Sequence, residues 1–592
     1  MLRRFLIFAS IAIFIANLCE CDSNELRDAL DDIRTSLNIS SWNTSLSMCT
    51  WAGVTCTSNS AFLSSLTLCT TTVPCGGSNV MGNSSLPNNA TTWSIIGRNL
   101  TSLTISRGSF PFPDNAATLL TMLSRLSFTS YSPTVPMQLP IGAGYAMTLS
   151  SSNIILQGSS NAGGANVTSM SISSSTVPDL TNIASLMSVT ITSGTLGTLN
   201  WTLMTRLTSI SISSSPTLIN GTLPNWTGTN FPALTSISLT AIGISVTPTS
   251  WGTITTLTSI GITSCTLLNS PLPSEWSNLT NLRSITLSST PMTGPLPDSW
   301  ASFVNLTIAI TGANFSQATL PSAWANMPSL ISLTISNCGL RGTLPSWPST
   351  TTALTYLGLP NNAITGPLPT NVTGWSKLTT LDISNNPING TLPAWGELRS
   401  LTTISIFSCN ITGSLPQWGA AASPMSTLKT IVMNNNSLNS TIPSSWWNMT
   451  SLVTLNANSA NVTGQLDLVG NATRLTSLDV SGNSIGTLCN FTVPKSLKTL
   501  VLQNNLCTGQ HPNWTAATTL ALVNLEGNAF YGSLAIISSS SLTTLRISGG
   551  NQFTGSLSNW TSAATSLTEL IASNNRLSGT LPAFSKIVTL LL

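Results

Sequence analysis

The sequence predicts an α/β-type solenoid in which each turn of the chain adds one short strand to a long parallel sheet. Three observations carry this expectation. The phrase LTTLDISNNPINGTLPAW, Leu378 to Trp395, recurs with variations, as in LISLTISNCGLRGTLPSW from Leu330, LTTISIFSCNITGSLPQW from Leu401 and LTELIASNNRLSGTLPAF from Leu567. Its leading apolar residue returns at nearly even intervals: Leu186, Leu207, Leu234, Leu257, Leu282, Leu306, Leu330, Leu354, Leu378, Leu401, Leu428, Leu452, Leu475, Leu497, Leu520, Leu542 and Leu567. These copies average about 24 residues, inside the range for strand-containing solenoid turns. Within each copy the apolar residues alternate with polar ones and then stop at a Gly and a Pro, the signature of a half-buried strand followed by a reversal.

The phrase L-x-x-L-x-I-x-x-N-x-I-x-G-x-L-P-x-W is a leucine-rich repeat, so the expected architecture is a horseshoe with a concave parallel sheet. The apolar residues of L-x-x-L-x-I point into the coil and the residues between them face outward. A single turn cannot bury its own apolar face, so stacked neighbours supply the core. At the ninth position a small polar side chain, Asn386, Asn483, Asn505 or Asn528, is placed to bond backbone groups left unpaired between turns. Gly then permits positive φ and Pro fixes an extended return. Looser copies at Leu63-Leu66-Leu68, Leu100-Leu103-Ile105, Leu123-Leu126-Phe128 and Val167-Met170-Ile172 extend the solenoid over 61–592, degenerate to about 185 and regular from 186.

A tryptophan closes most turns: Trp201, Trp226, Trp251, Trp276, Trp300, Trp324, Trp347, Trp375, Trp395, Trp418, Trp446, Trp514 and Trp560. An aromatic recurring once per turn beside the core is expected to fill the space behind each L-P corner, in preference to forming a ladder for stacked ligands.

At the N-terminus, Arg3 and Arg4 precede an apolar run from Phe5 to Leu18, which predicts a secretory signal peptide over 1–21. Residues 22–60 are expected to form a cap. Leu26, Ala29, Leu30, Ile33 and Leu37 have the spacing of an amphipathic helix over Asp22 to Leu37, ahead of Cys49-Thr-Trp-Ala-Gly-Val-Thr-Cys56. A helical, disulfide-stapled cap would cover the first sheet edge. Cys49 with Cys56 is the expected pair and Cys69 with Cys75 a second, although four cysteines allow three connectivities.

Cys265, Cys338 and Cys409 fall at the ninth position and read as buried substitutes for its Asn, while Cys489 and Cys507 lie in adjacent turns and are near enough in sequence to pair. The single histidine, His511, stands in a Gln-His-Pro corner far from the cysteines, so no metal site and no cofactor is expected. Charged residues make up 6% of the chain and the net charge is +3, which argues against a nucleic-acid partner and against a polybasic membrane patch. Mean hydropathy is positive, yet after the leader no apolar run approaches the length of a membrane span. Carbohydrate is the expected source of solubility. The chain has twenty-three N-x-[ST] sequons, among them Asn38, Asn166, Asn220, Asn278, Asn305, Asn389, Asn410, Asn461 and Asn513. The last residues, Ile587 to Leu592, read as the opening strand of another copy with no C-terminal cap behind it.

The C-T-W-A-G-V-T-C segment and the L-x-G-x-L-P corner resemble the extracellular leucine-rich-repeat regions of plant receptor-like proteins and polygalacturonase inhibitors, which typically carry Leu where this chain carries Trp. The L-P-x-x-W ending, as in LPSEWSNLTNLRSITL from Leu272 and LPDSWASFVNL from Leu296, resembles the surface leucine-rich-repeat glycoproteins of kinetoplastid flagellates, the promastigote surface antigen family. Members of that family are often lipid-anchored after a Ser/Thr-rich stalk. This sequence shows neither, so membrane attachment would rest on an anchor not present in it. The resemblance implies recognition or adhesion of a protein or glycan ligand at a cell surface. The alternatives are the ectodomain of a truncated signalling receptor and a non-binding antigenic coat.

The outward strand positions are mostly Ser and Thr, and the exceptions gather in the C-terminal half. Tyr356, Asp382, Phe407, Lys429, Asp479, Lys498, Arg546 and Glu569 are the candidate ligand-binding residues of the concave face. No pattern for a nucleophile pair, phosphate loop or metal centre is present, and no enzyme is expected. Asp382 and Asp479, four turns apart, would stand about 19 Å from each other, too far for a glycosidase pair.

Overall fold

The computed structural model describes residues 225–592 apart from 349–352 and 421–424, together with 23–36, 54–56, 63–68, 90–97, 100–108, 119–120, 122–131, 144–152, 166–175, 183–193, 204–214 and 223. The leader, Cys49, Cys69, Cys75, Asn38, Asn220, Trp201 and the side chain of Cys56 lie outside the described residues. The chain has the leucine-rich-repeat fold and divides into two compact units, 1–282 and 283–592.

The first unit opens with a helix, Ser23–Ser36, that buries Leu26, Ala29, Leu30 and Ile33, the stripe its sequence spacing predicts. It packs on a second helix, Ala90–Gly97, through Trp93 and Ile96, and Thr92 Oγ1 donates to Asp32 Oδ2 at 2.7 Å. The strand Val54–Cys56 runs antiparallel to Leu63–Leu68, and from there each described strand is parallel to the next, through to Ser259–Thr263. One of these, Tyr145–Ser150, has no Leu at its head. Tyr145, Met147 and Leu149 are its buried residues, which is why the leucine pattern passes over it.

The second unit is a parallel stack from Ser284–Ser288 to Thr589–Leu591. Inward residues such as Leu378, Leu381 and Ile383 are fully buried, and the residues between them are half-exposed. A few residues beyond the strand the chain passes through left-handed backbone, for example at Asn361 with φ 57°, Asn385 with 54° and Asn504 with 54°. Asn tolerates that conformation better than most residues, which accounts for the repeated Asn-Asn doublets. One turn is a residue short: Leu306 is buried, but only Thr307 separates it from the next inward residue, Ile308. Left-handed Asn305, at φ 55°, turns the chain early and keeps the strand Thr307–Thr311 in register.

The second Asn of each doublet forms a ladder. Asn386 Nδ2 donates to the carbonyls of Leu359, Ile383 and Ser384, and its Oδ1 accepts from the amide of Ile364 in the preceding turn. Asn362, Asn436, Asn483, Asn505, Asn528, Asn551 and Asn575 repeat the arrangement. Where Cys409 takes the position there is no acceptor of equal strength, and the corresponding amide, Ile388, turns to the carbonyl of Asn386 at 2.8 Å. Cys265, Cys338 and Cys409 are all buried with their thiols directed at backbone carbonyls, and burial pushes the Cys409 thiol up to about 11.

After the ladder, short strands from Arg341–Gly342 to Arg576–Leu577 form a second parallel edge. Its Gly residues are set by close approach: a Cβ on Gly413, whose φ is +80°, would stand 2.6 Å from Thr391 Cγ2. The tryptophan row packs as expected. Trp226, Trp251 and Trp276 stack in the first unit, and Trp395, Trp418 and Trp446 in the second, with centroids 5.3 to 6.3 Å apart. In several turns the indole N–H ties the turn to the corner before it, as Trp324 does to the Pro297 carbonyl, Trp418 to Ala394 and Trp446 to Pro416, whereas the indole N–H groups of Trp347 and Trp375 are buried without a hydrogen-bond partner among the described residues. Cys489, directly after the short strand Ser484–Leu488, forms a disulfide with Cys507 of the adjacent strand Leu506–Gly509, with Cα atoms 5.4 Å apart.

Candidate functional site

The open face of the main sheet in the second unit carries every candidate residue read from the sequence. Asp382, Asp479 and Arg546 lie within strands between buried neighbours, Tyr356 and Glu569 at the first position of a strand, Lys429 and Lys498 one residue before a strand, and Phe407 two residues after Thr403–Ser405. Lys429 and Lys498 are exposed and the other six are half-exposed. The strand register puts Asp382 and Asp479 in one row, four strands apart, so they do not converge.

The structure shows a constraint on these side chains that the sequence pattern alone did not reveal. At the row of Asp382, Asn456, Asp479 and Asn524, Oδ1 accepts from the backbone N–H two residues on. Ser384 and Ser481 hydroxyls also donate to Asp382 and Asp479, each at 2.6 Å. These Asx-type turns occupy one oxygen and fix the side-chain direction, so each carboxylate is held in place at the sheet surface. The Tyr356 ring lies over Gly358, where a Cβ would come 2.6 Å from Cε1. Partial burial and the neighbouring Asp382 charge raise its hydroxyl pKa.

Between Asn456 and Glu569 polar groups pair across neighbouring strands in separate patches, with Val501 standing in the row between Asp479 and Asn524. Asn458 Nδ2 donates to Asn456 Oδ1 at 2.9 Å and faces Asp479 Oδ2 at 3.5 Å. Asn524 Nδ2 donates to Gln503 Oε1, Ser548 Oγ to Glu526 Oε1, and Arg546 pairs with Glu569 at 2.9 Å. Asn456, Asn458, Gln503, Asn524, Glu526 and Ser548 were not singled out from sequence. Their signal was the offset from each leading Leu, which puts them on the same face as Asp479, but apart from Glu526 they are uncharged and did not stand out from the Ser/Thr background.

The aspartates and glutamates of this face are spread along it. Among the described residues no three His, Cys, Asp or Glu side chains are grouped as a metal ion would require. No helix among them is long and apolar enough to cross a membrane. Of the asparagines proposed as glycan acceptors, Asn278, Asn305, Asn389, Asn410, Asn461 and Asn513 are exposed and Asn166 is half-buried.

Residues 24–57 match the leucine rich repeat N-terminal domain, and residues 377–397 and 427–449 match the Leucine Rich Repeat family. No curated protein matches the chain. Among solved structures the chain is similar to the plant peptide hormone receptor RGFR1 in complex with RGF2, at 22% identity, covering 82% of this chain and 80% of that one with a TM-score of 0.65. It is also similar to the leucine-rich-repeat ectodomain of the Arabidopsis receptor kinase HAESA in complex with an IDA peptide hormone, at 19% identity, covering 97% and 93% with a TM-score of 0.54. At these identities the likeness is one of fold, and its counterparts are plant receptor ectodomains.

Proposed function

We infer that the protein is an extracellular recognition protein, secreted or held at a cell surface, that binds a peptide or protein partner along the open sheet face of its second unit. The observation that carries this reading is the set of hydrogen-bonded polar patches between Asn456 and Glu569. Exposed sheet surface needs no such order for solubility, whereas fixed carboxylates and amides on a rigid support reduce the ordering cost of binding. Six strands at about 4.8 Å spacing make the stretch that holds them about 24 Å long, the reach of roughly seven extended residues. The fold is shared with ectodomains whose structures contain peptide hormones. A solenoid sheet also suits binding over a broad surface better than small-molecule catalysis.

Tyr356 favours a second reading, adhesion to glycan, because its ring is held flat over Gly358 beside Asp382 and presents a stacking surface next to a carboxylate.

Labelled, secreted full-length protein is titrated onto cells and onto synthetic peptide and glycan arrays. The peptide reading predicts saturable binding that falls tenfold or more in Asp479→Ala with Glu526→Ala and is little changed by Tyr356→Ala. The reverse ranking, with array signal confined to glycans, transfers the function to the second reading. Non-saturable binding unaffected by any of these substitutions removes both and leaves the coat.

A further inference from the structure

The asparagines of this chain divide into groups with different structural roles. Sixteen sequon asparagines fall among the described residues, and fifteen of them are exposed. None of the eight ladder asparagines begins a sequon, and their amides are consumed between turns. Among the described residues no sequon asparagine lies within a strand of the main sheet. The exposed group divides again. Asn371 and Asn513 accept from the amide and hydroxyl of their own Thr373 and Thr515, so those N-x-T motifs also build a corner. Asn435 donates to Ser408 Oγ at 3.3 Å.

Asn389, Asn410, Asn439 and Asn461 have no such role. They stand in four consecutive turns on the second, short-stranded edge, exposed and with side-chain amides that bond to nothing among the described residues. Asn389 is the register partner of Asn410, and Asn439 and Asn461 directly precede the partners Ser440 and Val462. The four therefore form two adjacent pairs along one flank. All belong to N-x-T motifs, and the threonine methyls of two of them, Thr391 and Thr441, pack against Gly413 and Gly464. That packing explains the threonines but requires nothing of the asparagines. Left-handed backbone, φ 47° at Asn439 and 55° at Asn461, favours Asn at those two positions but makes no use of the side-chain amides, so four unbonded amides stand in line on one edge.

We propose that these two pairs carry N-linked oligosaccharide, forming a carbohydrate row on the short-stranded edge while the main sheet face stays bare. The step joins Asn Nδ2 to C1 of the first sugar. The C1–O bond to a lipid pyrophosphate-linked oligosaccharide donor breaks, the lipid pyrophosphate leaves, and one amide proton is lost to base. The row rests on the reading that the chain enters the secretory pathway, and it deepens that reading by stating which surface is modified and which is left for a partner.

The test is site mapping on the full chain secreted from eukaryotic cells, with an amidase releasing N-glycans in heavy-oxygen water so that each formerly glycosylated Asn becomes a labelled Asp. The expected result is label at one or both asparagines of each pair. Asn389→Gln with Asn410→Gln should remove the label from that pair alone. An unlabelled pair beside labelled Asn371 or Asn513 overturns the row, as does a secreted, leader-free chain with no label anywhere, and both leave the secretory reading standing. A chain retained in the cytosol with its leader intact overturns that reading and the row together.

Discussion

The His511 ring stacks on Trp514, with 4.1 Å between centroids and 11° between planes, and both rings hold the same residue of the next turn. His511 Nε2 accepts from the Ala535 amide at 3.0 Å while Trp514 Nε1 donates to the Ala535 carbonyl at 3.2 Å. Other tryptophans of the row reach back to the preceding turn, so this pair reverses the direction of the tie. Nδ1, 2.8 Å from the Pro512 carbonyl, carries the proton.

Neutral His511 is the form that fits, because a proton on Nε2 would oppose the Ala535 amide. Burial accordingly holds its pKa below the usual histidine value. A folded-state pKa below the unfolded value of about 6.5 means that the contribution is complete above that pH and is lost as pH falls toward the folded value. Melting temperature should therefore decline on acidification from pH 7 to pH 5 more steeply in the native chain than in His511→Gln. Parallel profiles would show that the histidine is not the titrating group.

Asn386→Ala should destabilise the second unit by about 3 kcal/mol, since it strands a buried amide and the carbonyls that shared its Nδ2. Cys409→Ala, at the equivalent position, should cost about 1 kcal/mol because a thiol makes weak bonds and its neighbouring amide already has another acceptor. Denaturant unfolding of the two variants side by side would measure the difference, and equal midpoints would refute the ladder's role.

Removing the Cys489–Cys507 disulfide with a double Ser substitution should cost about 3 kcal/mol, given the 18-residue separation. Intact mass under alkylating conditions, with and without reductant, would show whether two thiols are released.

Trp418→Ala should cost about 3–5 kcal/mol. Trp418→Phe should retain most of the stacking on Trp446 and lose mainly the bond to Ala394, about 1 kcal/mol. Thermal unfolding that ranked the two alike would place the stability elsewhere.

Arg546 and Glu569 are paired but partly exposed, with side chains 40% and 23% accessible. Exchanging them, Arg546→Glu with Glu569→Arg, should change stability by less than about 1 kcal/mol. If the face binds as inferred, the same exchange should alter ligand affinity severalfold, and a binding titration beside a melting curve separates the two effects.

Much of this was legible because each turn repeats one sentence. Strand positions, the Asn ladder, the tryptophan packing and the cap helix followed from spacing, since burial at every turn demands the same residue types. Four features were not legible. The strand headed by Tyr145 uses other apolar residues for the same burial, and the short turn at Leu306 depends on one left-handed residue, Asn305. The polar patches depend on which neutral side chains face each other across strands, which is a matter of register. Asp382 and Asp479 were recognisable as outward charges, but their Asx-type turns depend on backbone direction after the strand.

The Asn ladder also has a polarity. Each side chain that roots in its own turn lends its acceptor to the turn before, as Asn386 does for Ile364 and Asn505 for Ile485. A lesion at one turn is therefore displaced toward the N-terminus: replacing Asn505 should speed amide hydrogen exchange at Ile485, leaving the amides of its own turn comparatively protected. Read along the whole stack, exchange rates would then record what lies one turn downstream of each amide.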